Sequence, residues 1–202
     1  MEISYGLLTF IRDFAIFFAI YLMVALSLNL EYGYTGIPNF GKVLAVAGGA
    51  FTVGALPGRI VAWLYNVKPG LDYINDNTLI VTEVNKILAN DPILSITVFF
   101  LTLAVAGAIG AILGLISCYP AIRLREDYLA ITLLAMGEAI QVIGYNYRPI
   151  VKGNIGVLVP DPFGWTGEYR YAAVAIFILG ISSAVFLYCE RLIRSPLGRT
   201  LR

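Results

Sequence analysis

Tyr32-Gly-Tyr-Thr-Gly-Ile-Pro-Asn-Phe-Gly-Lys42 is the stretch on which the reading of this chain turns. Gly33, Gly36, Pro38 and Gly41 all discourage a continuous helix. Strongly apolar runs lie on either side, Phe14–Leu30 and Val43–Leu56. A break between two such runs frees backbone N–H and C=O groups, and each costs on the order of several kcal/mol in lipid unless protein or water satisfies it. The stretch is therefore either a tight interfacial turn between two spans or a broken helix lining a substrate path.

Composition sets the class. Of 202 residues 59% are apolar and only 13% charged, about half the charge of a soluble domain. The expected fold is all-α, a polytopic transmembrane helix bundle of about five spans, with one connection broken by Gly and Pro. Residues 1–202 are expected to form a single transmembrane domain. The spans are Phe14–Leu30, Val43–Tyr65, Ile93–Cys118, Tyr128–Tyr145 and Tyr171–Cys189. No basic n-region precedes the first run and no small-residue cleavage site follows it, so it is expected to be a retained span. Met1–Asp13 reads as a short lead.

Two stripes of small residues, Ala50/Gly54/Gly58 and Ala106/Gly110/Gly114, have the four-residue spacing that lets helices approach closely. Between the spans, Leu79–Leu88 reads as a short amphipathic helix on the surface, and Tyr147–Arg170 as a flexible connection rich in Gly and Pro.

Charge beside the spans gives an orientation. Loops 31–42, 119–127 and 190–202 hold seven basic residues in 34 positions, whereas 1–13, 66–91 and 147–170 hold six in 63. The denser set is expected in the cytoplasm. That puts the C-terminus inside and the N-terminus outside, in a cell membrane.

Several function classes fall away. A net charge of +1 gives no basic field for nucleic acid. With no histidine, the commonest metal ligand and general base are missing, and Cys118 and Cys189 stand without a CxxC pattern. No metal, cofactor or catalytic residue is expected on this chain. Gly41-Lys42 lacks the rest of a phosphate-binding GxxxxGK[ST] loop, so any ATP would be used by another polypeptide.

The side chains that stand out are polar ones in apolar surroundings. Asn39 is placed to cap a helix beginning near Phe40, and a helix N-terminus in the membrane suits a substrate carboxylate. Lys42 either adds a charge there or snorkels to the interface. Glu138, Gln141 and Tyr145 share one face of the fourth span. An intramembrane carboxylate faces a cavity or a polar partner on another helix, and both readings stand. Near the end, Ser195-Pro196 is a helix-start signal. Arg191 and Arg194 alone fit a stop-transfer tail.

Three stretches together resemble one family: Gly33-Tyr34-Thr35-Gly36 with Gly41, Arg123-Leu-Arg-Glu-Asp-Tyr-Leu-Ala-Ile131 leading to Gly137-Glu138, and Arg194-Ser-Pro-Leu-Gly-Arg-Thr-Leu-Arg202. They resemble the LivM-type permease subunit of branched-chain amino-acid ABC transporters. Where that family often has Ser and His after Gly-Tyr-Thr-Gly, this chain has Asn39 and Lys42, and Glu126 replaces the usual Gly of the charged loop. Family members continue through a cytoplasmic coupling helix into further spans, so the chain is expected to be the N-terminal part of a permease or a shortened homologue.

The resemblance implies a permease subunit of an ATP-driven importer, not an enzyme. Its partners would be a second permease subunit, cytoplasmic ATPase subunits and an extracytoplasmic substrate-binding protein. The expected substrate path comprises Gly33, Tyr34, Thr35, Gly36, Asn39, Gly41, Lys42, Glu138 and Gln141. Arg194, Ser195, Pro196, Gly198, Arg199 and Arg202 would open the coupling helix. Two alternatives remain: a permease for urea, amides or another small polar solute, and a non-conducting membrane scaffold.

Overall fold

A computed structural model describes residues 2–34, 36, 39–196 and 198. Among these there is no strand, and five helical stretches are long and apolar enough to cross a membrane: Gly6–Gly33, Lys42–Leu64, Pro92–Arg123, Asp127–Asn146 and Gly164–Arg194. The protein is a multi-pass helical membrane protein. It divides into two compact units, residues 1–39 with 166–202, and residues 40–165.

The first unit pairs two long helices. Helix α1 (Glu2–Leu28) starts well before the first apolar run, so residues up to Asp13 are helix and not a separate lead. The charges there do not interrupt it because Arg12 and Asp13 neutralise each other at 2.8 Å, and Arg12 also lies 4.5 Å above the Tyr171 ring. Phe10, Phe14 and Phe18 stack along one exposed face. The helix then widens into a π-turn over Asn29–Gly33. A Cβ at Gly33 would displace the Asn29 side-chain amide, whose Oδ1 lies in its place. Gly36 follows in the left-handed region (φ 72°), its N–H bonded to Tyr32 O at 3.1 Å. The expected break is thus real, and it coincides with the boundary between the units.

The second unit is built on α2 (Lys42–Ala55), which α3 (Pro57–Leu64) continues with only a local defect before Pro57. Next come α4 (Asn77–Asn90), α5 (Pro92–Arg123), α6 (Glu126–Asn146) and the single turn α7 (Arg148–Val151). Asp91 caps α5, its Oδ1 accepting from the N–H groups of Ile93 and Leu94 at 3.1 Å each. In the first unit, α8 (Arg170–Arg194) runs along α1, where Ser182 Oγ donates to Ala19 O at 3.3 Å.

The two small-residue stripes differ in what they meet: Gly110 of the second lies against α2, a close helix approach of the expected kind. Close approach of α2 and α5 rests on Gly48, where a Cβ would strike Leu113, and on Gly110, which faces Ala45 O. Gly54 instead receives Val151 and Val157, and Gly58 lies against the Tyr73 hydroxyl. Gly54 and Gly58 therefore meet side chains of α7 and of the connections after α3 and α6, which fold back over them.

Helix α4 is amphipathic as expected, with Thr78, Leu79 and Thr82 exposed on its outer face. Ile80, Val81, Val84 and Leu88 are buried, and Ile80, Val84 and Leu88 share a core with Val61 of α3 and Val98 of α5. Each such side chain is worth roughly 1.5–3 kcal/mol when fully buried, enough to hold α4 to the bundle.

The connection 147–165 likewise proves to be tied down. Lys152 Nζ donates to Asn75 O (3.1 Å), Leu158 N to Asn77 Oδ1 (2.6 Å), Asp161 N to Asn85 Oδ1 (2.8 Å), and Ser95 Oγ to Pro162 O (2.8 Å). It is a strap across α4 and the start of α5. Lys152, Gly153 and Gly156 take left-handed φ values of 61°, 64° and 75° to turn it.

Candidate functional site

Helices α2 and α6 meet at two glycines seven residues apart. A Cβ on Gly137 would touch Val43, and one on Gly144 would strike the Phe51 ring. Between these contacts the helices leave a groove of about 400 Å³, within the range of roughly 300–1,000 Å³ usual for small-molecule sites. Phe40, just before α2, and Val43, Ala47 and Phe51 of α2 form one wall, Leu133 lies in the α6 wall, and Val151 of α7 also lines it. The lining is mainly apolar.

Its polar groups all come from α6. Glu138, Gln141 and Tyr145 line the groove and are exposed along its open side. Gln141 Nε2 donates to Tyr145 Oη at 3.3 Å, which holds the amide and phenol together. The helical period dictates this: 138, 141 and 145 fall on one stripe, one residue away from the contact glycines 137 and 144. A carboxylate, an amide and a phenol beside an apolar wall suit a small solute with one cationic or hydrogen-bonding end and one hydrocarbon end. Among the described residues no cluster of acidic or sulfur ligands could hold a metal ion.

The remaining expected path residues divide between the units. Gly33, Tyr34, Gly36 and Asn39 belong to the first, Gly41 and Lys42 to the second. Thr35 lies outside the described residues, as does Pro38. Helix α2 begins at Lys42 with Gly41 in the N-cap position, two residues later than the start expected near Phe40. Gly41 and Lys42 do not line the groove, although Phe40 and Val43 do.

At the other end, Ser195 is extended and its Oγ accepts from Gly198 N at 3.4 Å, the geometry of a helix N-cap. Arg194 pairs with Glu190 one turn earlier. Pro196 is helical, whereas Arg199 and Arg202 lie outside the described residues.

The α2 wall was the part sequence reasoning missed. Val43, Ala47, Ala50 and Phe51 follow helical spacing, and Gly137 with Gly144 marks the facing helix, but the same pattern describes any packed pair.

The family model of the branched-chain amino acid transport system permease component matches residues 10–202. The chain belongs to this family. It is 39% identical over 188 residues to a probable branched-chain amino acid transport permease protein LivM of Methanocaldococcus jannaschii, covering 93% of this chain and 54% of that relative. It is 26% identical over 212 residues to the high-affinity branched-chain amino acid transport system permease protein LivM of Escherichia coli, covering 93% of this chain and 42% of that relative. The chain thus spans about half the length of the curated relatives it matches. No solved structure matches it. Its permease relatives are transport proteins rather than enzymes, and a permease component implies other components of the same transport system.

Proposed function

We propose that this permease forms part of the translocation path of an ATP-driven importer for branched-chain or related neutral amino acids. The observation that carries the reading is the α2–α6 groove, apolar except for Glu138, Gln141 and Tyr145. A neutral amino acid would lay its side chain on Phe40, Val43 and Phe51 and bring its ammonium to the Glu138 carboxylate. A carboxylate within a membrane span needs such a partner. Urea and amides carry no ammonium, so Glu138 favours amino acids over the alternative cargo.

The proposed cycle is alternating access. Cytoplasmic ATPase subunits would bind and hydrolyse ATP and act on the segment opened by Ser195, while a second permease subunit completes the path. An external binding protein would deliver the solute. The N-terminus would lie outside and the C-terminus in the cytoplasm. Supporting this direction are the Ser195 cap and the density of basic residues in loops 119–127 and 190–202.

The test is leucine uptake by the reconstituted complete transporter. Glu138→Gln is expected to raise the KM for leucine about tenfold or more, the loss of one charge-assisted bond, with assembly unchanged. Wild-type uptake in both Glu138→Gln and Glu138→Leu would refute the site.

A further inference from the structure

A second cavity, of about 480 Å³, opens beside the first turn of α3 and is lined by Arg59, Asp72, Tyr73, Arg148 and Pro149 among others. Its two guanidiniums are in different states. Arg59 is already engaged, its Nη2 donating to Pro149 O at 2.6 Å and its guanidinium lying 5.1 Å above the Tyr73 ring. Arg148 is exposed, and its guanidinium makes no hydrogen bond, ion pair or ring contact among the described residues.

Asp72 is half engaged. Its Oδ1 accepts from Ile74 N at 2.7 Å and Asn75 N at 3.1 Å, which fixes the carboxylate in the turn before α4. The Oδ2 has no hydrogen-bond partner among the described residues, and the Arg59 guanidinium in the same cavity acts on this carboxylate through its charge.

The cavity and the groove are neighbours across one turn of helix. Arg148 and Pro149, the first residues of α7, line the cavity, and Val151, the last, lines the groove.

We propose that this cavity is a second subsite, for the zwitterionic head of a free α-amino acid, with Arg148 taking the carboxylate and Asp72 Oδ2 the ammonium. The subsite rests on the permease reading above and adds to it a selection for solutes that carry both charges. A planar guanidinium matches a carboxylate with two parallel bonds. A fixed carboxylate beside it answers the ammonium. An amine leaves Arg148 unanswered, an acid leaves Asp72 with only the charge of Arg59, and urea answers neither charge.

The experiment is equilibrium binding of radiolabelled leucine to the purified full chain, competed with leucinamide, 4-methylpentanoate and urea. Arg148→Gln and Asp72→Asn are expected to weaken leucine about tenfold or more each. The first should spare leucinamide, and the second should spare 4-methylpentanoate. Both substitutions leave the fold intact. In Asp72→Asn the amide oxygen still accepts from the N–H groups of Ile74 and Asn75, and Arg148 has no side-chain bond to lose. A cooperative melt well above the assay temperature in each variant would establish that.

Leucine affinity equal to wild type in both variants overturns the subsite. If Glu138→Gln alone removes all leucine binding, the subsite falls and the groove stands. If Glu138→Gln binds normally while Arg148→Gln and Asp72→Asn fail, the subsite stands and the groove reading falls. No leucine binding to the wild type overturns both.

Discussion

Asn77, the first residue of α4, accepts at its Oδ1 the N–H of Leu158, 81 positions further along the chain, at 2.6 Å. Asn77 is 2% exposed, so the bond is shielded from water. It joins the two long connections of the second unit into one cap.

Asn77→Ala leaves the Leu158 N–H without its acceptor, at a cost of about 1–3 kcal/mol. Amide hydrogen exchange in residues 153–165 should rise several-fold in this variant, while exchange in α1 and α8 stays as in the wild type. Unchanged exchange in 153–165 would mean that the strap is held elsewhere.

The close approach of α2 and α5 gives a paired prediction. Gly48→Val must displace Leu113 and Ile109, and overpacking of this kind costs about 1–3 kcal/mol. Gly49, its neighbour in α2, has nothing within 4 Å of a built Cβ, so Gly49→Ala should be neutral or stabilising by up to about 1 kcal/mol through helix propensity. Thermal melting in detergent distinguishes them, and equal melting temperatures would contradict the packing described.

Phe14–Leu30 and Ile93–Cys118 announce themselves as spans in the sequence because uncharged runs of that length have no other stable environment. The break at Gly33–Gly41 was legible for the same local reason. The burial of Ile80, Val84 and Leu88 was legible as an amphipathic pattern but not as a core, since its partners Val61 and Val98 come from other helices. Gly54 and Gly58 read as a face for a long helix, yet Val151 of the single turn α7 and the loop residues Val157 and Tyr73 cover them, because spacing records that a close approach exists without recording what approaches. Glu138 and Gln141 were found as polar residues in a span, but the α2 wall opposite them carries only ordinary apolar residues.

Acid should weaken the cap through Asp72. The N–H groups of Asn75 and then Ile74 hold its carboxyl below the ordinary aspartate value, partial desolvation opposing them and Arg59 adding to them. A depressed folded value contributes stability above the unfolded value, near pH 4, and that contribution disappears as pH falls through the folded one. Asp72→Asn should therefore melt slightly below the wild type at pH 6, and the difference should close below about pH 4. A difference that persists or grows in acid would contradict the sign.

Orientation is open to labelling. In a Cys118→Ser, Cys189→Ser background, a cysteine at exposed Lys68 should react with an impermeant maleimide in intact cells. One at exposed Arg125, between α5 and α6, should react only after permeabilisation. The reverse pattern would invert the proposed topology.

The most direct test of the α2–α6 groove as a substrate path is photocrosslinking with a diazirine analogue of leucine in the complete transporter, followed by mass-spectrometric mapping. The account predicts adducts on Phe40, Val43, Phe51 or the 137–145 segment of α6, lost when unlabelled leucine is in excess. Leucine-sensitive adducts confined to other parts of the transporter would contradict it.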